Sequence, residues 1–332
     1  MTATDTPLPT TAASFNAAET YLGLLASRGI KYLFANAGTD FAPLVEAYAR
    51  RDESGLNFPE ALVVTHEHAA VSMAHGAYLL TGKPQAVMVH VNVGLANAAM
   101  GIINASRDNI PVFLTSGRTP ITDGQLPGSR DEFIHWTQEM FDQGGMIREF
   151  VKWDYELRGA HQLQRVVDRG LSIALSEPRG PVYLSLPREV LAESVEELAT
   201  DAPSGVQAAA PPSAAPETMA EVATMLLEAK RPLVIARRGG RDLDSIQRLA
   251  QLAHDYAWPV VEFRSNYVCM PHDHPMHGGY DVAPWLESAD VVLTLDAPVP
   301  WLPKQAQPND DCKIIHVGAD PLFSSFPIRQ FG

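Results

Sequence analysis

The sequence has little cysteine: only Cys269 and Cys312 occur among its 332 residues. Two cysteines in so long a chain cannot form a disulfide framework, which predicts a reducing compartment and a cytoplasmic location. Positive charge is also scarce, because 25 Lys and Arg residues stand against 39 Asp and Glu residues and give a net charge of −14. Nucleic acids and anionic membranes bind cationic surfaces, so the composition argues against both as partners.

Long apolar runs and nucleotide motifs are absent as well. No stretch of about 18 uninterrupted apolar residues occurs, which predicts that no segment spans a membrane. Residues 1–14 have neither the basic nor the apolar region of a signal peptide. Neither a Walker A loop nor a G-x-G-x-x-G motif is present, so no nucleoside triphosphate or Rossmann dinucleotide site is indicated. The hydrophobic content of 46% is still ample for a buried core, and the length predicts two domains.

One segment differs in composition from the rest of the chain: residues 201–216, with the sequence DAPSGVQAAAPPSAAP. It is rich in Ala, Pro and Ser and carries a single charge, which is typical of an extended, semi-rigid spacer. We therefore predict a first domain over 14–198, a linker over 199–217 and a second domain over 218–332.

Both predicted domains alternate short apolar strands with helices. Strands are predicted at 31–36, 61–65, 85–91, 111–116, 181–186, 232–236, 259–263, 291–295 and 313–317. Helices are predicted at 17–28, from a capping box of Asn16 with Glu19, and at 67–81, 95–107, 159–176 and 243–256. On the helix 67–81, the apolar spacing places Met73 and Leu80 on one face with Ala70 and Ala77. Apolar strands that alternate with helices indicate parallel sheets covered on both faces. The predicted fold class is α/β, with two doubly wound parallel-sheet domains.

The strand ends are the most informative positions for function, because ligands of open parallel sheets bind at the carboxyl ends of the strands. After the first strand, a turn that contains Gly38 leads into a helix for which Asp40 is the predicted cap. After the second, Glu67 stands between an apolar strand and an Ala-rich helix, where its carboxylate is shielded from water. That setting suits a proton relay. The alternative is an acidic residue that the helix dipole favours in a first turn.

Other polar clusters have weaker signals. His66 and His68 are two residues apart on a helix and face away from each other, so they are not expected to share a metal ion. The tract 272–277 (HDHPMH) lacks a complete ligand set and is expected to be a solvated loop. The turn 237–241 (RRGGR) could hold a phosphate but is expected to be exposed. No metal ligand set is predicted in the chain.

Several longer segments carry a family pattern. In the first domain they are GIKYLFANAGTDFAPLVEA, THEHAAVSMAHGAYLLTGK, HVNVGLANAAMGIINASRDNIPVFLTSG and GPVYLSLPREV, and in the second RPLVIARRGG and DVVLTLDAPVPW. The first set resembles the pyrimidine-binding domain of thiamine-diphosphate-dependent enzymes of the acetolactate synthase and benzoylformate decarboxylase branch. The second set resembles the Rossmann-like central domain of that family. The resemblance spans roughly 15–332, and the segment with Glu67 is its most specific part.

The resemblance implies how the cofactor is bound. In this family a shielded glutamate hydrogen-bonds the aminopyrimidine ring of thiamine diphosphate and stabilises its imino tautomer. Glu67 matches that glutamate and is implied as a catalytic residue. Further cofactor contacts are implied for Gly38, Gly94 and Asn97.

The resemblance also implies a substrate class. His90 matches an active-site histidine of the benzoylformate decarboxylase branch, where acetolactate synthases generally have a glycine-rich stretch. Thr39 matches a hydroxyl residue that contacts the substrate carboxylate, and Gln138 falls near the substrate as well. The implied activity is that of a lyase or carboligase acting on a 2-oxo acid, with an acetolactate synthase-like transferase and a 2-hydroxyacyl-CoA lyase as alternatives. For His90 the alternative is a buried histidine with a packing role.

The family's third domain binds the diphosphate through Mg²⁺, and its signature begins with Gly-Asp-Gly. No Gly-Asp-Gly occurs in the 332 residues. The chain is therefore expected to hold only the aminopyrimidine half of the cofactor, to be inactive alone and to work as an oligomer with a chain that carries the missing domain. It is interpreted as a subunit of a split enzyme or as a truncated chain with an incomplete central domain, and a non-catalytic partner subunit is the third alternative. Whether the central domain binds FAD or another nucleotide is left open.

Overall fold

The computed structural model describes residues 15–195 and 204–331 of the chain. The chain separates into two compact units, with the division between Ala209 and Ala210. This division falls inside the predicted linker, 199–217. Within the described ranges, no helix is both long enough and apolar enough to cross a membrane.

A six-stranded parallel sheet with helices on both faces forms the first unit. In chain order its described elements are β1 (Phe15–Asn16), α1 (Ala17–Ser27), β2 (Tyr32–Asn36), α2 (Ala42–Ala49), α3 (Arg51–Ser54), β3 (Glu60–Val63), α4 (Glu67–Thr81), β4 (Gln85–Val89), α5 (Val91–Arg107), β5 (Val112–Arg118), α6 (Ile134–Thr137), β6 (Asp154–Glu156), α7 (Leu163–Leu175), β7 (Val182–Pro187), α8 (Arg188–Leu191) and β8 (Ser194–Val195). The strand order in the sheet is β3-β2-β4-β5-β7-β6, and each neighbouring pair is parallel. β1 and β8 pair separately as a short antiparallel ladder.

Local sequence signals explain where the helices begin and end. The Asn16 side chain accepts the Glu19 N–H at 2.9 Å and the Glu19 carboxylate accepts the Asn16 N–H at 2.7 Å, so the predicted capping box forms and α1 starts there. Gly82 ends α4 with a φ of +66°, a conformation that glycine adopts without strain. The predicted helix over 67–81 is confirmed residue for residue.

The first unit buries an apolar core on each face of its sheet. On β2, Leu33 and Ala35 belong to the core that includes α1 and α7, whereas Phe34 belongs to the core that includes α4 and α5. The alternation arises because successive side chains of a strand face opposite sides of the sheet. The predicted doubly wound α/β class is confirmed.

The buried face of α4 differs from the predicted one. The predicted face includes Met73 and Leu80, but these side chains are 43% and 89% exposed, while Tyr78 is buried. The reason is tertiary: α4 packs against α5 as well as against the sheet. Val71 lies so close to Gly101 of α5 that a Cβ at Gly101 would be 2.8 Å from the Val71 Cβ.

β3 is the outer strand on one side of the first sheet, and it is not covered on both faces as predicted. Most of its residues are exposed, and Val63 is 85% exposed. The strand also ends earlier than predicted, at Val63 rather than at residue 65. Beyond its end, the Asn36 side chain of β2 still donates a hydrogen bond to the Val64 carbonyl at 2.8 Å. An edge strand has a neighbour on one side only, so fewer contacts define its length.

Asp168 of α7 joins the end of α1 and the segment 204–209 to the first unit. Its carboxylate accepts hydrogen bonds from Arg28 Nε at 2.8 Å and from the Gly205 N–H at 3.0 Å, and the Arg28 and Asp168 side chains are 3% and 10% exposed. We expect Asp168→Ala to lower the free energy of unfolding by about 3–5 kcal/mol, because it removes the carboxylate that neutralises a buried guanidinium. Chemical denaturation, followed through the transition of the first unit, measures this change.

A surface ion pair of the same unit provides the control for Asp168→Ala. Glu53 is 74% exposed where it pairs with Arg50 at 3.5 Å. Glu53→Ala should cost less than about 1 kcal/mol, since solvent screens exposed pairs. If the Asp168→Ala and Glu53→Ala variants unfold at the same denaturant concentration, the Arg28–Asp168 pair does not stabilise the first unit.

A four-stranded parallel sheet forms the second unit. Its described elements are α9 (Pro216–Glu228), β9 (Pro232–Ala236), α10 (Leu243–Tyr256), β10 (Val260–Val261), α11 (Ala283–Leu286), β11 (Val291–Leu295) and β12 (Lys313–Val317). The strand order is β10-β9-β11-β12, and all pairs are parallel. The predicted bounds of β9, α10, β11 and β12 are confirmed, whereas the strand predicted at 259–263 reduces to the two paired residues of β10.

Candidate active site

The predicted site residues collect at one edge of the first sheet, where three adjacent strands end. Their positions are the turn after β2 for Gly38 and Thr39, the turn after β3 for Glu67, the turn after β4 for His90, the first turns of α5 for Gly94 and Asn97, and the residue after α6 for Gln138. The carboxyl ends of parallel strands share one edge of a sheet, so residues far apart in the sequence come together there.

Glu67 is buried at the N-terminus of α4, with 8% of its surface exposed. The helix begins at Glu67 because His66, in an extended conformation, accepts the His68 N–H with its Nδ1 atom. Asn97 Nδ2 donates a hydrogen bond to Glu67 Oε2 at 3.1 Å. None of the described residues donates a hydrogen bond to Glu67 Oε1. One oxygen of a buried carboxylate is therefore fixed and the other is left as an acceptor.

Gly94 lies against this carboxylate. A Cβ at Gly94 would be 3.5 Å from Glu67 Oε1 and 3.1 Å from the Val89 Cβ. The missing side chain thus leaves space beside the acceptor oxygen. A carboxylate oxygen with space beside it and no described donor, on a residue that is 8% exposed, fits the edge of an aminopyrimidine ring, which offers a hydrogen-bond donor.

His90 directly follows β4 and is held by a carboxylate. Its Nδ1 atom lies 2.6 Å from Asp40 Oδ1, and because a carboxylate only accepts hydrogen bonds, Nδ1 carries the proton. The hydrogen bond with Asp40 raises the pKa of His90, burial lowers it, and the negative charges of Asp40 and Glu67 raise it further. The net direction is upward, so the ring changes its charge at a higher pH than an ordinary histidine.

Asp40 does not have the predicted role of a helix cap. The helix α2 begins two residues later, at Ala42, and none of its first-turn N–H groups is bonded to a capping side chain. The Asp40 carboxylate lies instead at the end of β4, because His90 Nδ1 and the Val91 N–H both donate hydrogen bonds to it there. The residue is 3% exposed. Sequence reasoning missed this contact; the available signal was an acidic residue directly after the Gly38-Thr39 turn.

Thr39 and Gln138 flank the same edge of the sheet. Thr39 is exposed at the start of a single 3-10 turn that runs to Phe41. The main-chain carbonyl of Gln138 accepts a hydrogen bond from Asn92 Nδ2 at 2.8 Å, which places the residue after α6 beside the first turn of α5. Asn92, which sequence reasoning also missed, has a buried Oδ1 atom that lacks a hydrogen-bond partner among the described residues.

The histidine tract of the second unit is only in part the solvated loop that was expected, since His272 is 54% exposed but His277 is not. His277 is 9% exposed and its Nε2 atom lies 2.9 Å from the buried Glu262 Oε2, with His272 Nε2 at 3.4 Å from the same oxygen. One side-chain atom from each of Glu262, His272 and His277 lies within 4.8 Å of the other two. His277 Nδ1 accepts the Gly279 N–H at 3.3 Å, so the His277 proton lies on Nε2 and is donated to Glu262. Glu262 and His277 therefore form a hydrogen-bonded pair, and the exposed His272 lies beside it.

The turn 237–241 also differs from its expected exposed state. Arg238 is 3% exposed. Both Arg238 and Arg241 pair with Asp296, which directly follows β11. A Cβ at Gly240 would be 1.9 Å from the Val268 carbonyl oxygen. The turn is packed because the ends of β9 and β11 are neighbours in the second sheet.

Two family models match the chain. The model described as thiamine pyrophosphate enzyme, N-terminal TPP binding domain, matches residues 15–146, and the model of the central domain of the same enzymes matches residues 219–324. Each model falls within one of the two units.

Curated and solved proteins agree with the family models. The chain is 28% identical to acetolactate synthase isozyme 1 large subunit of Escherichia coli, over 92% of this chain and 53% of that protein. It is 27% identical to benzoylformate decarboxylase of Pseudomonas aeruginosa, over 90% of this chain and 55% of that protein. The crystal structure of benzoylformate decarboxylase from Polynucleobacter necessarius has the same fold, with a TM-score of 0.76 at 20% identity over 95% of this chain and 58% of that one. The chain spans about half the length of the curated relatives that it matches. The protein belongs to the thiamine pyrophosphate enzyme family, of which it contains the N-terminal and central domains.

Proposed function

We propose that the first unit binds the aminopyrimidine ring of thiamine diphosphate in a lyase or carboligase that acts on a 2-oxo acid. The observation that carries the proposal is the Glu67 carboxylate, which is buried, held through Oε2 by Asn97 and left without a described donor at Oε1. When bound, thiamine diphosphate supplies the electron sink for breaking or forming a bond beside a carbonyl carbon.

Glu67 acts in this proposal as a proton relay. Its Oε1 atom is the acceptor for the ring, and the hydrogen bond from Asn97 to Oε2 keeps the carboxylate from rotating. Burial of the residue, which is 8% exposed, limits the access of water to the carboxylate. Gly94 keeps space beside Oε1. Together these residues present one defined oxygen to the ring.

His90 acts as the second group that exchanges protons, this time with the substrate. Its Nδ1 atom is bound to Asp40, which leaves Nε2 for proton exchange. Its raised pKa also lets the ring carry a positive charge closer to neutral pH, where it favours an anionic 2-oxo acid. The exposed hydroxyl of Thr39, beside Gly38, is the proposed contact for the substrate carboxylate, and Gln138 the proposed contact for the rest of the substrate.

The relatives support the substrate class but do not separate its members, because acetolactate synthase and benzoylformate decarboxylase are almost equally similar to the chain. His90 is the feature that separates them. A histidine at this strand end resembles the benzoylformate decarboxylase branch, so we favour decarboxylation or carboligation over acetolactate synthesis. The buried Glu67 argues against a purely non-catalytic partner subunit, since such a subunit has no need of a shielded carboxylate at this edge.

The diphosphate and Mg²⁺ belong, in this proposal, to a domain outside these 332 residues, on the same polypeptide or on a second one. The sequence contains no Gly-Asp-Gly, and we assign no described residue to the metal. We further propose that the working enzyme is an oligomer, and composition continues to predict a cytoplasmic location.

Calorimetry tests the proposed division of the cofactor site. We expect thiamine diphosphate with Mg²⁺ to bind the chain alone more weakly than micromolar, because only the pyrimidine end is held. Adding a chain that carries the Gly-Asp-Gly domain should bring tight binding and turnover of a 2-oxo acid. Micromolar binding by the chain alone would contradict the division, and tight binding by the mixture without turnover of any 2-oxo acid would contradict the proposed activity.

A further inference from the structure

Asp40 is a buried carboxylate that contacts two consecutive residues at the end of a neighbouring strand. Its Oδ1 atom accepts a hydrogen bond from His90 Nδ1 at 2.6 Å, and its Oδ2 atom accepts the Val91 N–H at 3.1 Å. We infer that Asp40 is a positioning residue that holds the His90 imidazole in the Nδ1–H tautomer and so assigns Nε2 to the substrate. The use made of Nε2 rests on the proposed function, whereas the tautomer does not.

The backbone beside His90 shows that this position is under strain. Val91 has a φ of +32°, a region that β-branched residues rarely adopt. Such conformations persist only where the surrounding structure holds them. The Val91 side chain is 3% exposed and its N–H is bonded to Asp40. The same carboxylate therefore restrains both the ring of His90 and the backbone that carries it.

Two glycines show how closely the Asp40–His90 pair is packed. A Cβ at Gly38 would lie 2.1 Å from His90 Nδ1, and a Cβ at Gly117 would lie 1.8 Å from Asp40 Oδ2. Neither glycine has a positive φ, so what glycine provides at both positions is space. Backbone on either side thus confines the carboxylate and the imidazole, and the pair has little freedom to adopt another geometry.

The charged groups that act on His90 are few. They are Asp40, from the turn after β2, and Glu67, from the start of α4. If the Asp40 carboxylate is removed, burial still lowers the pKa of His90 and only the more distant charge of Glu67 still raises it. The pKa of His90 must then fall, and the ring loses the acceptor that keeps the proton on Nδ1.

NMR of the histidine rings tests the inference on the chain itself, without cofactor. In Asp40→Asn a single amide oxygen replaces the two that accept from His90 Nδ1 and from the Val91 N–H, and the other atom becomes a donor. We therefore expect the pKa of His90 to fall and the preference of the neutral ring for the Nδ1–H tautomer to weaken, as read from the two ring ¹⁵N shifts. Asp108→Asn is the matched control, because Asp108 Oδ2 lies 3.7 Å from His75 Nε2. That control should lower the pKa of His75 and leave the titration of His90 unchanged.

Gly117→Ala perturbs the same pair without removing its charge. The new Cβ forces the Asp40 carboxylate away from its place. The pKa of His90 and its preference for the Nδ1–H tautomer should therefore change in the same direction as in Asp40→Asn. A fall of the His90 pKa with loss of the Nδ1–H tautomer in either folded variant supports the inference. An unchanged His90 titration and tautomer in a folded variant overturns it. These outcomes do not depend on thiamine diphosphate, so they are separate from the failure or success of the proposed function.

Discussion

Glu67→Gln is expected to reduce turnover by about 10²–10⁴-fold in the proposed enzyme, assembled with a domain that binds the diphosphate. The amide has nearly the shape of the carboxylate and keeps an oxygen for Asn97, but it cannot take up and return a proton. The fold should remain intact, because Glu67 contributes no ion pair shorter than the 3.9 Å contact with His66. Turnover of a 2-oxo acid and exchange of the thiazolium C2 proton, followed by NMR, measure the loss.

The control for this variant is Glu60→Gln. Glu60 is an exposed acid at the start of β3, and Glu67 follows the other end of that strand, so the change removes the same charge from a position away from the site. Turnover in the Glu60→Gln variant should equal that of the wild type. Near-normal turnover in the Glu67→Gln variant would refute the proposed relay, and with it the proposed use of the cofactor by this unit.

Gly38→Ala is expected to reduce turnover by about 10²-fold, through His90. A Cβ at Gly38 would lie 2.1 Å from Nδ1 and 2.3 Å from Cγ of the His90 ring, so the ring must leave its place against Asp40. The backbone of Gly38, with a φ of −142°, is one that alanine adopts readily, so the expected effect is steric and confined to the site. Steady-state kinetics together with thermal unfolding separates lost activity from lost stability.

The matched control for Gly38→Ala is Gly76→Ala in α4. A Cβ at Gly76 has no neighbour within 4 Å, and alanine is favoured over glycine inside a helix by about 0.5–1 kcal/mol. We expect that variant to retain full turnover and to unfold at a slightly higher temperature. If the Gly38→Ala variant is as active as the Gly76→Ala variant, the packing of His90 against the turn after β2 has no bearing on catalysis.

Much of the fold could be predicted from short segments of sequence. The bounds of α4 and α10 agree with the prediction because hydrogen bonds and cap residues within a few positions determine where a helix begins and ends. Those of β9 and β11 agree because each strand is a short, continuous apolar run. The buried face of α4 could not be predicted in the same way. Leu80 has the spacing of a core residue but is 89% exposed, since the position of α5 decides which side of α4 is covered.

The site could be predicted only in part. The rule that ligands bind at strand ends pointed to Glu67 and His90, and the structure places both at one edge of the first sheet. Their partners could not be predicted, because nothing near Asp40 in the sequence shows that its carboxylate contacts a residue 50 positions later. The same holds for Glu262 and His277, which are 15 positions apart and meet only when a loop folds back on β10.

The sequence by itself determined the class of fold and the family, since these follow from side-chain periodicity and from motifs read along the chain, and it pointed to the residues proposed to carry the chemistry. Only the tertiary structure decided how those residues are held. The hydrogen bonds from Asn97 to Glu67 and from His90 to Asp40 join distant parts of the chain. So does the bond from the strained Val91 N–H to Asp40. Such contacts depend on which strands become neighbours in the sheet, and no local pattern specifies that.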